Sequence, residues 1–298
     1  MNETKNYSIT KSGAVILEGG ANRGVFTAGA LDFLMEQEYY IPHVIGVSAG
    51  ACNALDYVSR QIGRTRDCMI VTDEKNRYVN KNIKTIVEKK ALLDMDMVFE
   101  RYPYEIFPFD FDTYFASPQT CELVVTNCET GRAEYLDDRE NKERLLAIGR
   151  ASSSMPIACP MVEIDGNEYV DGGVADSIPV HHALEHGCDK VVIILSNPRD
   201  FVKQPEAHRP IYKRMLRRYP KTIEGIDHRH INYQASIDLS NRLEKEGRAL
   251  IFAPSRHLPL GTFSRDAALE QKLYDLGVSD YEAKRAALQE FLKAQGHS

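Results

Sequence analysis

The chain of 298 residues carries a formal net charge of −6, and its residues are 43% hydrophobic and 27% charged. This composition is typical of a globular protein, and the length suits one large α/β domain or a domain with an appendage. The acidic balance disfavours a nucleic-acid partner, because proteins that bind nucleic acid generally present a basic surface.

The cysteines and the apolar segments indicate where the protein works. The six cysteines include no C-x-x-C pair, so free thiols in a reducing compartment are expected. Residues 1–13 are polar and lack the apolar segment of a signal peptide, and no apolar run is long enough to span a bilayer. We therefore expect a cytoplasmic protein, with peripheral contact at the inner membrane surface.

The chain begins with a predicted strand, a glycine-rich loop and a helix. Residues 14–17 are a short apolar run of the kind buried in a parallel sheet. Residues 18–24 form the glycine-rich loop, and residues 25–40 have apolar side chains at helical spacing. A loop of this kind usually binds an anion through backbone N–H groups at the helix N-terminus.

The glycine-rich loop does not match the common phosphate-binding patterns. Ala21 occupies the place of the second glycine of the dinucleotide motif, and Gly24 is followed by Val25 rather than the lysine of a P-loop. The same N–H groups suit an oxyanion instead. Arg23 adds a fixed positive charge, with a surface or structural arginine as the alternative.

Residues 44–52 predict a strand, a sharp turn and a helix. The turn is Gly46-x-Ser48-x-Gly50, in which the glycines remove Cβ atoms from a crowded backbone and the serine projects at the tip. Backbone N–H groups of the following helical turn point toward the same place, where they favour an anion. This arrangement suits an acyl-transfer enzyme. A glycine-rich turn with an incidental serine is the alternative.

The middle of the chain contains a segment rich in methionine and aromatic residues. A helix is predicted for residues 49–62, and residues 59–90 are mostly polar and charged. Residues 91–117 contain the methionine and aromatic side chains, interrupted by Pro103 and Pro108. This segment predicts either a lid or acyl-chain pocket, or a loop region that covers the core.

Strands and helices then alternate. The predicted elements are a strand at 121–127, a helix ending at Arg150 that Asp137 and Asp138 cap, a hairpin turning at Asp165-Gly166, a helix from 178 to 186 and a strand at 190–195. Asp171-Gly172-Gly173 stands at the end of the second hairpin strand. The alternation predicts an α/β fold, with a mainly parallel sheet and helices on both faces.

The composition changes after residue 198. Between residues 199 and 221 only Asp200 and Glu206 oppose a set of cations: Arg199, Lys203, Arg209, Lys213, Arg214, Arg217, Arg218 and Lys221. This segment predicts contact with an anionic membrane surface, or a solvated face that pairs with the acidic remainder of the chain. A long helix at 224–247, a strand at 249–253 and one or two helices at 266–295 follow.

Three motifs occur together: Gly19-Gly20-x-x-Arg23-Gly24, Gly46-x-Ser48-x-Gly50 and Asp171-Gly172-Gly173. With them the sequence resembles the patatin-like phospholipases. That family has a Gly-Gly-Gly-x-Arg-Gly oxyanion loop, a Gly-x-Ser-x-Gly nucleophile turn and an Asp-Gly-Gly or Asp-Gly-Ala motif. The resemblance covers residues 12–197, and Ala21 departs from the glycine pattern. Residues 198–298 resemble, more weakly, the C-terminal extension of a bacterial subgroup.

The resemblance implies a three-layer α/β/α sandwich at residues 12–197, with a mostly helical extension at 198–298 packed on it. It also implies a Ser–Asp dyad, in which Ser48 attacks an ester carbonyl and Asp171 acts as general base. Burial is expected to raise the pKa of Asp171, because an ordinary carboxylate is a weak base at neutral pH. The oxyanion would be held by amides of the loop Gly19, Gly20, Ala21, Asn22, Arg23 and Gly24.

The expected function is that of a serine acyl hydrolase acting on lipid carboxylic esters, as a phospholipase A or a lysophospholipase does. An acyltransferase that uses the same acyl-enzyme and a non-catalytic lipid-binding protein are the alternatives. No metal or cofactor is expected, and the oligomeric state is not indicated. Surface or helix-filling roles are expected for His181, His182, His186, His228 and His230.

Overall fold

The computed structural model describes residues 13–80, 91–264 and 266–293. Within these residues eight strands form one sheet, in the order β5-β6-β3-β2-β1-β7-β8 with β4 on the free side of β3. The neighbours β1, β2, β3, β7 and β8 run parallel to one another, whereas β4, β5 and β6 are antiparallel to their partners. The strands are β1 Gly13–Leu17, β2 His43–Val47, β3 Thr120–Asn127, β4 Ala133–Leu136, β5 Val162–Ile164, β6 Asn167–Asp171, β7 Lys190–Ile194 and β8 Ala249–Phe252.

Helices cover both faces of the sheet, so the predicted α/β fold is confirmed. The helices are α1 Gly24–Glu36, α2 Ala49–Val58, α3 Arg64–Met69, α4 Met97–Ile106, α5 Phe111–Ala116, α6 Lys142–Ser152, α7 Val180–Glu185, α8 Arg209–Met215, α9 Pro220–Lys245, α10 Ala267–Ala283 and α11 Arg285–Lys293. Alternate residues of β1 face opposite cores: Val15 and Leu17 pack with α1, α2 and α10, whereas Ala14 and Ile16 pack with α7 and α9.

Two strands meet end to end along one edge of β3. Strand β2 runs parallel to β3 and its last residue, Val47, pairs with Val124. Strand β6 runs antiparallel to β3 and its last residue, Asp171, pairs with Val125. Because β4 occupies the other edge of β3 over the same residues, β2 and β6 must share an edge and approach each other from opposite directions. Their carboxyl ends therefore meet at one point of the sheet.

The C-terminal part of the chain is mostly helical, as predicted, and it joins the same sheet and core. Strand β8 extends the sheet beyond β7 in parallel register. Helix α10 packs closely on α1. Gly29 of α1 and Gly277 of α10 each face the backbone of the other helix, at a distance that leaves no room for a Cβ. Leu273, Leu276 and Tyr281 of α10 are buried in the main core. The boundary at residues 197–198 stays a prediction.

Some local predictions are corrected by the structure. The helix ending near Arg150 begins at Lys142 and is capped by Asn141, whose side chain accepts from the Arg144 N–H, rather than by Asp137 and Asp138. Pro103 lies inside α4, which is wound as a π-helix, instead of breaking the segment. Proline has no N–H and therefore donates no hydrogen bond within this helix.

Several predicted stretches have other limits in the structure. The polar stretch 59–90 contains helix α3. Residues 81–90 of this stretch lie outside the described residues, and so does the end of the predicted C-terminal helix, at 294–295. The predicted helices 25–40 and 49–62 end earlier, at Glu36 and Val58. None of the described helices combines the length and the apolar character that a membrane crossing requires.

Candidate active site

Ser48 lies on a sharp turn between β2 and α2. Its backbone angles are φ +56° and ψ −123°, a region that residues other than glycine seldom adopt. The flanking glycines are required by packing: a Cβ at Gly50 would collide with the Leu17 carbonyl, and one at Gly46 would collide with the backbone of residues 50 and 51. The strained turn therefore projects the Ser48 hydroxyl beyond the end of the sheet.

The Ser48 hydroxyl donates a hydrogen bond to the carboxylate of Asp171. The distance from Ser48 Oγ to Asp171 Oδ2 is 2.6 Å, and the Gly173 N–H donates to the other carboxylate oxygen at 2.8 Å. Asp171 is buried, at 2% exposure. Burial raises its pKa, against the opposing effects of Arg229, the Ser48 and Gly173 hydrogen bonds and Lys203. A buried carboxylate with a raised pKa is a better proton acceptor than a solvated one.

Two serines of the segment 151–156 hold the turn in place. The Ser48 N–H donates to Ser152 Oγ at 2.9 Å, and Ser153 Oγ donates to the Ser48 carbonyl at 3.3 Å. Both come from the end of α6, which packs against β3 and β6. These contacts explain why a run of small polar residues follows this helix.

The glycine-rich loop lies directly against Ser48. A Cβ at Gly19 would be 2.8 Å from the Ser48 Cβ, so the loop backbone touches the serine. The Arg23 and Gly24 amides donate to carbonyls within the loop. Among the described residues, those of Gly19, Gly20, Ala21 and Asn22 have no protein acceptor. Backbone N–H groups without a protein acceptor are the kind of donor that can stabilise a developing oxyanion.

The remaining side chains of this loop have structural contacts. The Asn22 side chain is buried and donates to the Ser264 carbonyl and to Glu270 Oε1, tying the loop to the C-terminal part of the chain. Ala21 has φ +46°, the left-handed region that favours glycine. The Nε atom of Arg23 is buried without a hydrogen-bond partner among the described residues.

A deep apolar cavity opens at Ser48. Its walls come largely from the methionine- and aromatic-rich segment: Leu93, Met95, Val98, Phe99, Tyr102, Pro103 and Phe109. Cys52 and Leu55 of α2, Leu146 of α6 and Phe263 also contribute to them. The segment 91–117 therefore lines a pocket and also contributes buried residues, so two roles that the sequence offered as alternatives, a pocket and a cover for the core, occur together.

The charged residues that reach this cavity are already paired with each other. Asp56 accepts from Arg64 Nη1 at 2.6 Å and from Thr65 Oγ1 at 2.5 Å. Arg64 also donates to the Phe107 carbonyl through its Nε. Because these groups satisfy one another, the described lining presents mainly carbon and sulfur to a ligand.

None of the histidines in the described part of the chain lines the cavity at Ser48. His182 and His43 both contact Glu122 Oε2, at 2.8 and 2.6 Å, near the opposite end of the parallel strands. No cluster of His, Cys, Asp and Glu suited to a metal ion occurs among the described residues. The arrangement at Ser48 is thus a serine and a carboxylate without an intervening imidazole.

Sequence reasoning assigned no role at the site to Glu18, Lys203, Arg229 or Tyr233. Glu18, buried at the end of β1, accepts from the Ser196 N–H and the Tyr233 hydroxyl, at 2.6 and 3.0 Å. Lys203 lies over the Tyr233 ring, and burial lowers its pKa to about 8. Arg229 of α9 donates to the Gly173 carbonyl. Only Glu18 had a sequence signal, as a charged residue ending an apolar strand.

Comparison with known proteins agrees with this architecture. Residues 219–293 match the model of a domain of unknown function, DUF6363. The Escherichia coli (strain K12) protein YjjU, described as uncharacterized, is 28% identical over 280 residues, which cover 89% of this chain and 74% of YjjU. The crystal structure of VipD from Legionella pneumophila superposes with a TM-score of 0.51 at 13% identity, covering 96% of this chain and 67% of VipD, so it is similar in fold.

The decisive match is to the N-terminal part. The family model of patatin-like phospholipase matches residues 15–184, more than half of the chain, and includes the glycine-rich loop, Ser48 and Asp171. The chain therefore belongs to the patatin-like phospholipase family, a family of lipid ester hydrolases.

Proposed function

We propose that the protein hydrolyses lipid carboxylic esters, as a phospholipase A or a lysophospholipase does, through an acyl-enzyme on Ser48. The proposal rests above all on the 2.6 Å hydrogen bond from Ser48 Oγ to Asp171 Oδ2. A serine hydroxyl becomes an effective nucleophile only when a base takes its proton, and Asp171 is the base within reach.

In the first half-reaction, Ser48 Oγ attacks the ester carbonyl carbon while its proton moves to Asp171 Oδ2. The carbonyl oxygen becomes an oxyanion, which free amides of the loop Gly19, Gly20, Ala21 and Asn22 would stabilise. The tetrahedral intermediate then collapses. The bond to the leaving alcohol breaks, and this oxygen takes the proton from Asp171.

In the second half-reaction, water takes the place of the leaving alcohol. Asp171 accepts a proton from the water as its oxygen attacks the acyl carbon, and the same amides hold the second oxyanion. Collapse then returns the proton to Ser48 Oγ and releases a fatty acid. No group beyond the dyad and the amides is needed for proton balance.

The cavity supports an acyl chain as the group bound beside Ser48. Its described lining presents mainly carbon and sulfur, and burial of each methylene of a chain contributes about 0.8 kcal/mol. The head group would then project toward the open side of the site.

Access to lipid is proposed to come through the exposed face of α8 and the residues after it. Arg199 and Arg209 of the basic segment are paired with carboxylates inside the fold. In contrast, exposed cations such as Lys213 and Arg217 have no carboxylate partner among the described residues. Further exposed cations without such a partner, and two exposed apolar side chains, lie beside them: Arg214, Arg218, Lys221, Ile211 and Met215.

This mixture suits the surface of an anionic membrane, where each basic residue contributes up to about 1 kcal/mol at low salt. The six free cysteines agree with a reducing, cytoplasmic location. Co-sedimentation should show binding to anionic but not zwitterionic vesicles. The double variant Lys213→Glu, Arg217→Glu should bind at least tenfold more weakly, while Lys272→Glu on α10 should not. Equal binding to both vesicle types would contradict the electrostatic contact.

The catalytic proposal is tested by labelling and turnover in parallel. The wild-type protein should react with a fluorophosphonate probe and cleave p-nitrophenyl esters and lysophospholipids, whereas folded Ser48→Ala should do neither. Ser279→Ala, far from the site on α10, is the matched control and should behave as wild type. An unlabelled wild-type protein would indicate a lipid-binding protein. Product analysis with a competing alcohol or thiol would reveal an acyltransferase if the acyl group went to that acceptor.

A further inference from the structure

Helix α9 of the C-terminal region reaches back to the Asp171-Gly172-Gly173 turn. Arg229 donates from Nε to the Gly173 carbonyl, and the N–H of the same glycine donates to Asp171 Oδ1 at 2.8 Å. One residue thus links the arginine to the carboxylate. The contact joins the DUF6363-like region to the motif of the patatin-like domain.

The guanidinium also lies close to the carboxylate itself. A Cβ added at Gly173 would be 2.9 Å from Arg229 Nη2 and 3.1 Å from Asp171 Oδ1. The two atoms are therefore at most about 6 Å apart, a range in which a cation stabilises an ionised carboxylate. The absent Cβ makes this approach possible, because a side chain at position 173 would separate the two groups.

Other charges around this pair are few. Arg229 forms an ion pair with Glu206, whose carboxylate lies 3.7 Å from Nη1. The Glu206 side chain is 40% exposed, so water weakens this attraction. Asp171 is also faced by Lys203 from the loop after β7 and by the Cys159 thiol from the loop after α6. Among the charged groups, Arg229 opposes the effect of burial on the Asp171 pKa most strongly.

Without a cation beside it, a fully buried carboxylate becomes protonated and cannot accept the serine proton. We propose that Arg229 is a positioning residue for the reaction: it fixes the 171–173 turn through Gly173 and keeps Asp171 ionised, so the C-terminal region completes the catalytic site. This inference rests on the proposed function of Ser48 and Asp171. The C-terminal region would thus contribute to the ionisation of the catalytic base and not only to the fold.

The test is the pH dependence of kcat/KM in the full chain. In Arg229→Gln the acid limb of the profile should move up by about one pH unit, because loss of a nearby cation raises the pKa of the base. At pH values on the acid limb, the variant should be about tenfold less active than the wild type. At higher pH its activity should be within about threefold of wild type. Arg229→Lys, which keeps the charge, should show a smaller shift.

The matched control is Arg209→Gln, which removes the guanidinium that pairs with Asp227 of α9, the helix that carries Arg229. It should leave the acid limb in place. Partial misfolding would not obscure the result, since the pH dependence of the fluorophosphonate labelling rate is measured only on competent sites. An unshifted limb in Arg229→Gln, or a loss equal at all pH values, would overturn the inference. Such a result would leave the Ser48 proposal intact, because that proposal fails only if the wild-type protein is not labelled or if Ser48→Ala remains active.

Discussion

Substitution of Glu122 by glutamine should weaken the fold in a pH-dependent manner without changing the catalytic site. Glu122 accepts hydrogen bonds from His43 and His182 on one carboxylate oxygen, and its side chain is 16% exposed. Burial would raise its pKa, but the two histidines outweigh burial and lower it to about 2. For His43, burial would lower the pKa, but the contacts with Cys188 and Glu122 raise it to about 9.

The direction of the effect follows from linkage. Because the pKa of His43 is higher in the folded than in the unfolded chain, its contribution is fully present below about pH 6.5 and is lost as pH rises to about 9. A change of this size corresponds to at most about 3 kcal/mol, and water at the partly exposed pair reduces it to about 2 kcal/mol. The low pKa of Glu122 arises from the same interaction, so no separate free energy for Glu122 is added to that of His43.

The assay is urea unfolding of the wild type and Glu122→Gln at pH 6 and pH 9. The wild type should lose about 1 kcal/mol more between these pH values than the variant does, because the Cys188 contact that also raises the His43 pKa remains in the variant. Glu163→Gln, an exposed carboxylate on the edge strand β5, is the control and should follow the wild type. The reasoning is refuted if Glu122→Gln and wild type lose the same unfolding free energy over this interval.

Two further substitutions test the loop and the cavity. Ala21→Gly should stabilise the fold by about 0.5–1 kcal/mol, since relief of left-handed strain exceeds the added entropy of the unfolded chain; thermal unfolding measures this, and a lower Tm would contradict it. Val98→Trp should fill the cavity, so kcat/KM for decanoyl esters should fall about tenfold or more relative to acetyl esters. An unchanged chain-length profile would show that the acyl chain binds elsewhere.

The sequence predicted the parts of the site that depend on local chemistry. Glycines beside Ser48 and after Asp171 are needed where backbones approach closely, so they appear as short motifs. Apolar runs predicted β1, β2, β3 and β7 because buried parallel strands require them. The family motifs then connected distant segments that no local pattern could join.

The contacts that the sequence did not predict join remote residues on polar elements. Arg229 lies on α9, a long helix with charged residues along its length, where nothing distinguishes one arginine from its neighbours. Strand β4 has only half-buried residues and therefore no clear alternation. The mainly parallel reading did not anticipate that β6 enters antiparallel, although this direction is what brings Asp171 to Ser48. Pairing direction depends on the whole sheet rather than on the strand itself.

The histidines near Glu122 require care in any test of the mechanism. His182 stacks on Tyr135 and contacts Glu122, so its replacement should lower stability without entering the chemistry. Activity of such variants must therefore be referred to the concentration of folded protein. Replacement of His181 or His186 should have a smaller effect on stability, because neither contacts Glu122 in the structure.

The most direct test of the account compares Asp171→Asn with Ser48→Ala and with the histidine variants, per folded molecule. Asp171→Asn keeps the shape of the side chain but removes the proton acceptor, so it should lose as much ester hydrolysis as Ser48→Ala, because residues that act as a unit fail together. His181, His182 and His186 replaced by Gln or Asn should retain most activity. If Asp171→Asn stays active, or if one folded histidine variant is as inactive as Ser48→Ala, the Ser–Asp dyad is contradicted.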